Sequence, residues 1–259
     1  MRAKDIHVAP ITSTAANECV RAIHYSGKVV PNSQLHLGVF LDGQLHGAMQ
    51  FGPSMLKRKT MGLVAGTKWN DFLELNRMAF GPALPRNSES RAIGIALRLI
   101  RKRYPNVEWV LSYADGCQCG DGTIYRASGF LLTGIKENKS IMRLPSGEVA
   151  CKITYAKGKH ILKTGAARPP EGSTYLPGFQ LRYIYFLKPE ARARLTVPVL
   201  PFSKITELGA AMYLGEKRAG SKANVAPAFQ AGEGGATPTP ALQTPEQTAS
   251  EKFECKEKN

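Results

Sequence analysis

Three things are missing from this sequence: long apolar runs, a paired set of cysteines, and enough acids to balance its bases. No stretch approaches the ~18 consecutive apolar residues of a membrane-crossing helix, so no membrane span is expected. The opening residues, Met1-Arg2-Ala3-Lys4-Asp5-Ile6-His7, lack the apolar core of a secretory signal. Five cysteines (Cys19, Cys117, Cys119, Cys151 and Cys255) are odd in number and widely scattered, which argues against a disulfide framework and suits a reducing cytoplasm. There is no P-loop, no dinucleotide fingerprint and no zinc-type Cys/His array. Cys117 and Cys119 alone cannot complete a tetrahedral site, and although His24 or Asp115 would add ligands, no metal is predicted.

Acids number 20 against 35 bases, a net charge of +15 over 259 residues. The excess is uneven. Residues 219–259 hold four Lys and five Glu, which leaves 31 bases and 15 acids, a net of +16, in the first 218 residues. Such a body favours a polyanionic partner, although charge alone does not separate that reading from a basic protein with no such partner. The 43% of hydrophobic residues suffices for a sizeable core. After Arg218 the chain is rich in Ala, Gly, Pro, Thr, Gln and Glu and almost free of large apolar residues, so a disordered tail is expected over 219–259.

Ahead of that tail, helix and strand patterns alternate. Ala16, Cys19, Val20 and Ile23 make an apolar stripe over 13–24, with Ser13 and Thr14 as candidate caps. Leu35–Leu41 and Gln44–Phe51 flank Asp42-Gly43, a strong hairpin signal. Alternation over 72–80 predicts a strand with Phe72, Glu74, Asn76, Met78 and Phe80 on one face and Leu73, Leu75, Arg77 and Ala79 on the other. Residues 91–103 form a helix with Ile93, Leu97 and Ile100 inward, and 107–113 a buried strand. A glycine-rich loop at 116–122 leads to a short helix at 123–128 stopped by Gly129. Further strands are expected at 130–135, 140–144, 148–155 and 179–187. The sum is an α+β fold, a mixed α/β sheet covered by helices.

Polar residues gather where such sheets open into clefts. Arg77 lies toward the end of one strand, Ser90 opens the next helix, Asp115 ends the next strand and Tyr125 lies on the helix after it. Each also has an ordinary role: Ser90 a helix cap, Asp115 a turn residue, Tyr125 a core aromatic, and Arg77 an ion-pair partner of Asp115.

Tyr125-Arg-Ala-Ser-Gly129-Phe130 resembles the fourth helix and following strand of the GNAT acyltransferase superfamily, and the order of elements matches too. That resemblance implies a GNAT-like central mixed β-sheet flanked by helices. It also implies Tyr125 as the acid that protonates the departing thiolate of an acyl-CoA, a task open to a phenol. Where the superfamily carries glycines with Gln or Arg before its long helix, this chain has Asn87-Ser88-Glu89-Ser90-Arg91-Ala92-Ile93-Gly94. Its donor-binding set would be Ser90, Arg91 and Tyr125, with Glu89 opposing an anion.

Several separated motifs narrow the resemblance. His24-Tyr25-Ser26-Gly27-Lys28, Leu73-Glu74-Leu75-Asn76-Arg77, Asn87-x-x-Ser90-Arg91 and Ser112-Tyr113-Ala114-Asp115-Gly116, followed by Tyr125, are together similar to the Mom DNA-modification family of Mu-like bacteriophages, over roughly 15–190. That family is a divergent branch of the GNAT superfamily that converts adenine in phage DNA to N6-(carbamoylmethyl)adenine and shields it from host restriction. The resemblance implies a catalytic domain over 1–190, a basic extension over 191–218, and a functional set of His24, Tyr25, Arg77, Ser90, Asp115 and Tyr125. Tyr25 would stack on the base, His24 or Asp115 would act as base, Arg77 would steady an anion and Ser90 would donate to the group donor. The donor itself is unspecified, with acyl-CoA as the reference class. Double-stranded DNA is the expected partner, held through Lys57, Arg58, Lys59, Arg98, Arg101, Lys102 and Arg103, in the cytoplasm of the infected host bacterium; a homodimer is compatible with this reading. Two rivals stand beside it: an ordinary acyltransferase acting on a small amine or protein lysine, and a non-catalytic DNA-binding protein.

Overall fold

A computed structural model of the chain describes residues 2–152, 170–213 and 216–217. Seven strands form one sheet in the order β1-β2-β3-β4-β5-β10-β6. They are β1 (His7–Pro10), β2 (Leu35–Leu41), β3 (Gln44–Gly52), β4 (Phe72–Phe80), β5 (Trp109–Asp115), β6 (Leu131–Glu137) and β10 (Phe179–Phe186). Neighbours are antiparallel except β4 and β5, which are parallel. Three short strands, β7 (Ile141–Arg143), β8 (Val149–Cys151) and β9 (Thr174–Tyr175), make a separate small sheet. The rest of the strand expected over 148–155, and the tail at 219–259, lie outside the described residues.

The hairpin turn joining β2 to β3 places Asp42 at φ 50° and Gly43 at φ 76°, the left-handed pair that a two-residue turn between twisted strands requires. Helix α1 (Ser13–Ile23) begins one residue earlier than the candidate caps implied. Thr12 caps it, its hydroxyl accepting from the Ala15 N–H at 3.2 Å. Helix α3 (Ser88–Arg103) buries Ala92, Ile93, Ala96, Leu97 and Ile100, and starts three residues before the expected position, so Ser90 sits inside its first turn.

Strand β4 departs from simple alternation. Its pairing with β3 runs Gln50↔Arg77 and then Phe51↔Leu75, so Asn76 is the extra residue of a β-bulge. The bulge shifts the side-chain phase. Leu73, Leu75, Met78 and Phe80 all face the larger core, where Met49, Phe51, Ile93 and Leu97 pack. Arg77 and Ala79, paired with Gln50 and Ala48, fall on the opposite face with Phe72 and Glu74. The strict two-face assignment fails because period-2 counting has no signal for an inserted residue.

Helices cover both faces. The larger core holds α3 and α4 (Thr123–Ala127) on one side. On the other, α1 packs over Ala48, while α2 (Lys57–Met61) lies by a second core in which Phe72 stacks on Trp109 with centroids 4.5 Å apart at 9°. Trp109 is fully buried and satisfies its indole N–H at Thr67 Oγ1, 3.2 Å away. Residues from the expected extension join this body: the Leu200 N–H bonds the Leu132 carbonyl at 2.8 Å, and Ile205 and Ala210 are buried in the larger core.

Candidate active site

Strands β4 and β5 stay in register from Phe72↔Trp109 to Glu74↔Leu111, after which β4 continues to Phe80 and β5 to Asp115. Between these continuations opens a cavity of about 540 Å³. Its walls include Glu74, Arg77, Tyr113 and Asp115 from one face of the sheet and Leu75, Met78 and Ala114 from the other, so it passes through the sheet where the strands part. All six residues of the sequence-derived set, His24, Tyr25, Arg77, Ser90, Asp115 and Tyr125, line it. His24 and Tyr25 follow α1 on one face, and Ser90 and Tyr125 belong to α3 and α4 on the other.

On the α1 side, the His24 and Tyr25 rings pack 4.1 Å apart, and Tyr25 remains 50% exposed. His24 Nδ1 accepts the Ser26 N–H at 3.1 Å and lies 2.8 Å from Ser26 Oγ. Burial, aided by the Arg77 charge, lowers the His24 pKa to about 4. At neutral pH the ring is therefore uncharged, and with Nδ1 engaged as an acceptor its proton sits on Nε2. Arg77 donates through Nε to the Lys28 carbonyl at 2.8 Å and through Nη1 to its own neighbour's carbonyl, Asn76, at 2.7 Å. Arg77 and Asp115 do not form one of the ion pairs among the described residues. Instead, Asp115 Oδ1 accepts the Cys117 N–H at 3.0 Å and the Asn138 side-chain amide at 3.2 Å, bonds that fix the loop after β5.

On the α3 side, Tyr125 is 7% exposed, with ring centroids 5.2 Å from Tyr183 and 5.5 Å from Phe130. Burial pushes its pKa up to about 12, against the opposing effect of Ser112, so the phenol keeps its proton at neutral pH. Asn87 adopts a left-handed conformation (φ 69°) and makes no side-chain cap for α3. Ser90 Oγ donates to the Asn87 carbonyl at 3.3 Å. Arg91 is exposed and donates to the Lys4 carbonyl at 3.2 Å; it is not in the wall, because it projects from the far side of the same turn.

Glu74, Tyr113, Cys119 and Tyr213 also line the cavity, although the functional set drawn from the sequence leaves them out. Glu74 is held above the usual carboxylate range by burial, while Ser54, Asn76 and Arg77 pull it back. Its signal was a single acid set between leucines in a strand. Cys119 Sγ donates to the Asp115 carbonyl at 3.1 Å, and Cys117 Sγ faces the Asn138 and Leu176 carbonyls at 3.9 and 3.8 Å. The four described cysteines are free thiols, and among the described residues no three His, Cys, Asp or Glu side chains come together as a metal site.

The basic residues divide between the two faces. Arg58 and Lys59 are exposed on α2, and Lys57 Nζ sits 4.1 Å from the centroid of the Trp69 ring. Arg98, Lys102 and Arg103 are exposed on α3, on the opposite face, while Arg101 donates to the Leu187 carbonyl at 3.1 Å.

The strand order, the single parallel pair and the cavity at its split define an α+β fold, a mixed sheet flanked by helices. Solved structures that resemble the chain include an N-acetyltransferase from Staphylococcus aureus (TM-score 0.42, 10% identity, 71% of this chain and 99% of that one). A Bacillus subtilis acetyltransferase in complex with CoA is another (TM-score 0.39, 9% identity, 70% and 97%). The chain belongs to the Mom protein family, whose model matches residues 5–204. A relative, the methylcarbamoylase Mom of Escherichia phage Mu, is 38% identical over 211 residues, covering 78% of this chain and 85% of its own length.

Proposed function

We propose that this chain modifies adenine in double-stranded phage DNA, giving N6-(carbamoylmethyl)adenine in the cytoplasm of the infected bacterium and so blocking host restriction. The observation that carries the reading is the cavity through the split sheet, with a stacking ring and carboxylates on one face and a proton-donating phenol on the other. Two reactants reaching one point from opposite sides is the geometry that group transfer needs. The 38% identical methylcarbamoylase of phage Mu supports the choice of group, and the choice of adenine rests on the resemblance carried by the sequence motifs.

The adenine N6 is tucked into the duplex, so the base must leave the stack at a cost of a few kcal/mol. The half-exposed Tyr25 ring, backed by His24, is a platform for it. His24 presents an N–H and therefore serves as a donor to the base edge, which leaves proton removal from N6 to a carboxylate. Asp115 and Glu74 are both in the wall, and the Arg77 charge lies beside Glu74. As the new C–N bond forms, N6 gives up one proton to that carboxylate, and Tyr125 gives one to the leaving atom.

The carbamoylmethyl group joins N6 through a CH₂, so transfer of an acyl carbonyl does not by itself produce it. Either the donor presents an electrophilic methylene or an acyl adduct rearranges. An acyl-CoA would meet Tyr125 at its thiolate and the uncapped first turn of α3 at its phosphates. Glu89 in that turn and the averted Arg91 weaken the phosphate end.

Restriction sensitivity tests the reading. Plasmid from cells expressing the chain should resist endonucleases whose sites contain adenine, and Arg77→Ala or Asp115→Asn should restore cutting. Asparagine keeps an oxygen for the Cys117 and Asn138 bonds while removing the charge. Full cutting of plasmid from cells rich in the folded protein would contradict the proposal.

A further inference from the structure

Between β3 and α2 the chain turns large apolar side chains outward. Met55 is 78% exposed and Leu56 64%, and Trp69, which lies against Lys57, is 54% exposed. Grouped apolar exposure of this kind marks a surface that meets a partner. The surroundings say which kind: Pro53 to Asn70 contains Lys57, Arg58, Lys59 and Lys68 and no acid. Arg58, Lys59 and Lys68 are exposed.

The patch also stands at the lip of the cavity. Ser54 lies close enough to the Glu74 carboxyl to pull its pKa back toward the usual range, and the Pro53 carbonyl accepts from Asn76 Nδ2 at 3.4 Å; Glu74 and Asn76 are both wall residues. The Ser54 hydroxyl is 3.0 Å from that of Thr60, which ties this corner to α2. Helix α2 and the patch lie on the same face of the sheet as His24 and Tyr25. A five-residue helix with two outward side chains before it is too small to lie as a lipid anchor, whereas an apolar corner ringed by cations matches a duplex: stacked bases inside, phosphates outside.

We propose that Met55 and Leu56 form a wedge that enters the base stack at the step from which the target base is drawn into the cavity, with Lys57, Arg58, Lys59 and Lys68 on the flanking phosphates. The proposal rests on the reading of the cavity as a base-binding site. Drawing out a base leaves a gap in the stack, and apolar side chains inserted at a step stabilise the opened, bent duplex.

The test uses the full chain and a labelled duplex carrying 2-aminopurine at the target adenine, read by anisotropy for binding and by 2-aminopurine fluorescence for unstacking. The unsubstituted chain should bind and raise the fluorescence several-fold. M55S/L56S, which alters only exposed side chains, should bind within about threefold yet lose most of the rise at saturation. K57Q/R58Q/K59Q should instead lose affinity and lower the slope of log K against log salt by about 2 to 3. An undiminished rise with M55S/L56S overturns the wedge, as does a patch that binds vesicles of phosphatidylserine and phosphatidylcholine in preference to the duplex. Adenine modification in cells separates the two readings. Equal modification by M55S/L56S and the unsubstituted chain removes the wedge and leaves the cavity reading intact, while no modified base from the unsubstituted chain removes the cavity reading.

Discussion

At the scale of single residues, His24 illustrates how a neighbour sets chemistry. The sequence leaves His24 and Asp115 as alternative bases; in the structure the Ser26 N–H occupies His24 Nδ1, which leaves the ring proton on Nε2. Its folded pKa of about 4 lies below the ordinary 6.5, so the unfolded chain binds more protons between those values. The stability that His24 contributes is therefore present above pH 6.5 and lost as pH falls toward 4. Urea midpoints measured from pH 7 to pH 4.5 should fall less in His24→Gln than in the parent, and equal falls would refute the assignment. Tyr125→Phe keeps the ring contacts with Tyr183 and Phe130 while removing the proton donor, so the melting temperature should hold while turnover drops about 100-fold. Full turnover by that variant would remove Tyr125 as the acid. Glu74 was hidden at this scale because its place in the cavity depends on the bulge at Asn76, two residues away, and Tyr213 because it arrives from a distant segment.

The elements were legible where local chemistry decides them. The Asp42-Gly43 turn, the stripe of α1 and the stop at Gly129 (φ 81°) each rest on a few adjacent residues. The bulge in β4 and the insertion of β10 between β5 and β6 rest on partners far along the chain, and nothing within either strand announces them. The loop into α4 depends on Gly122 on two counts. Its φ is +82°, and a Cβ there would stand 2.5 Å from the Tyr183 ring, whose hydroxyl bonds the Asp121 carbonyl at 2.5 Å. Gly122→Ala should therefore destabilise the protein by about 1–3 kcal/mol in urea denaturation and weaken the placement of Tyr125; a change within experimental error would show that the loop adapts freely.

For the molecule as a whole, the sheet separates two surfaces that composition merged into one number. The net +15 includes cations on α2, on the face where Tyr25 opens, and cations on α3, on the other face. If duplex approaches from the Tyr25 side, K57Q/R58Q/K59Q should weaken duplex binding at 100 mM salt at least about tenfold, and R98Q/K102Q/R103Q much less. Equal losses would place DNA differently. The central claim is the chemistry itself, and mass spectrometry of nucleosides from plasmid propagated with this chain tests it most directly. The account predicts a deoxyadenosine in which one N6 hydrogen is replaced by a carbamoylmethyl group, absent when Asp115→Asn is expressed at the same level; unmodified deoxyadenosine alongside abundant folded protein would contradict it.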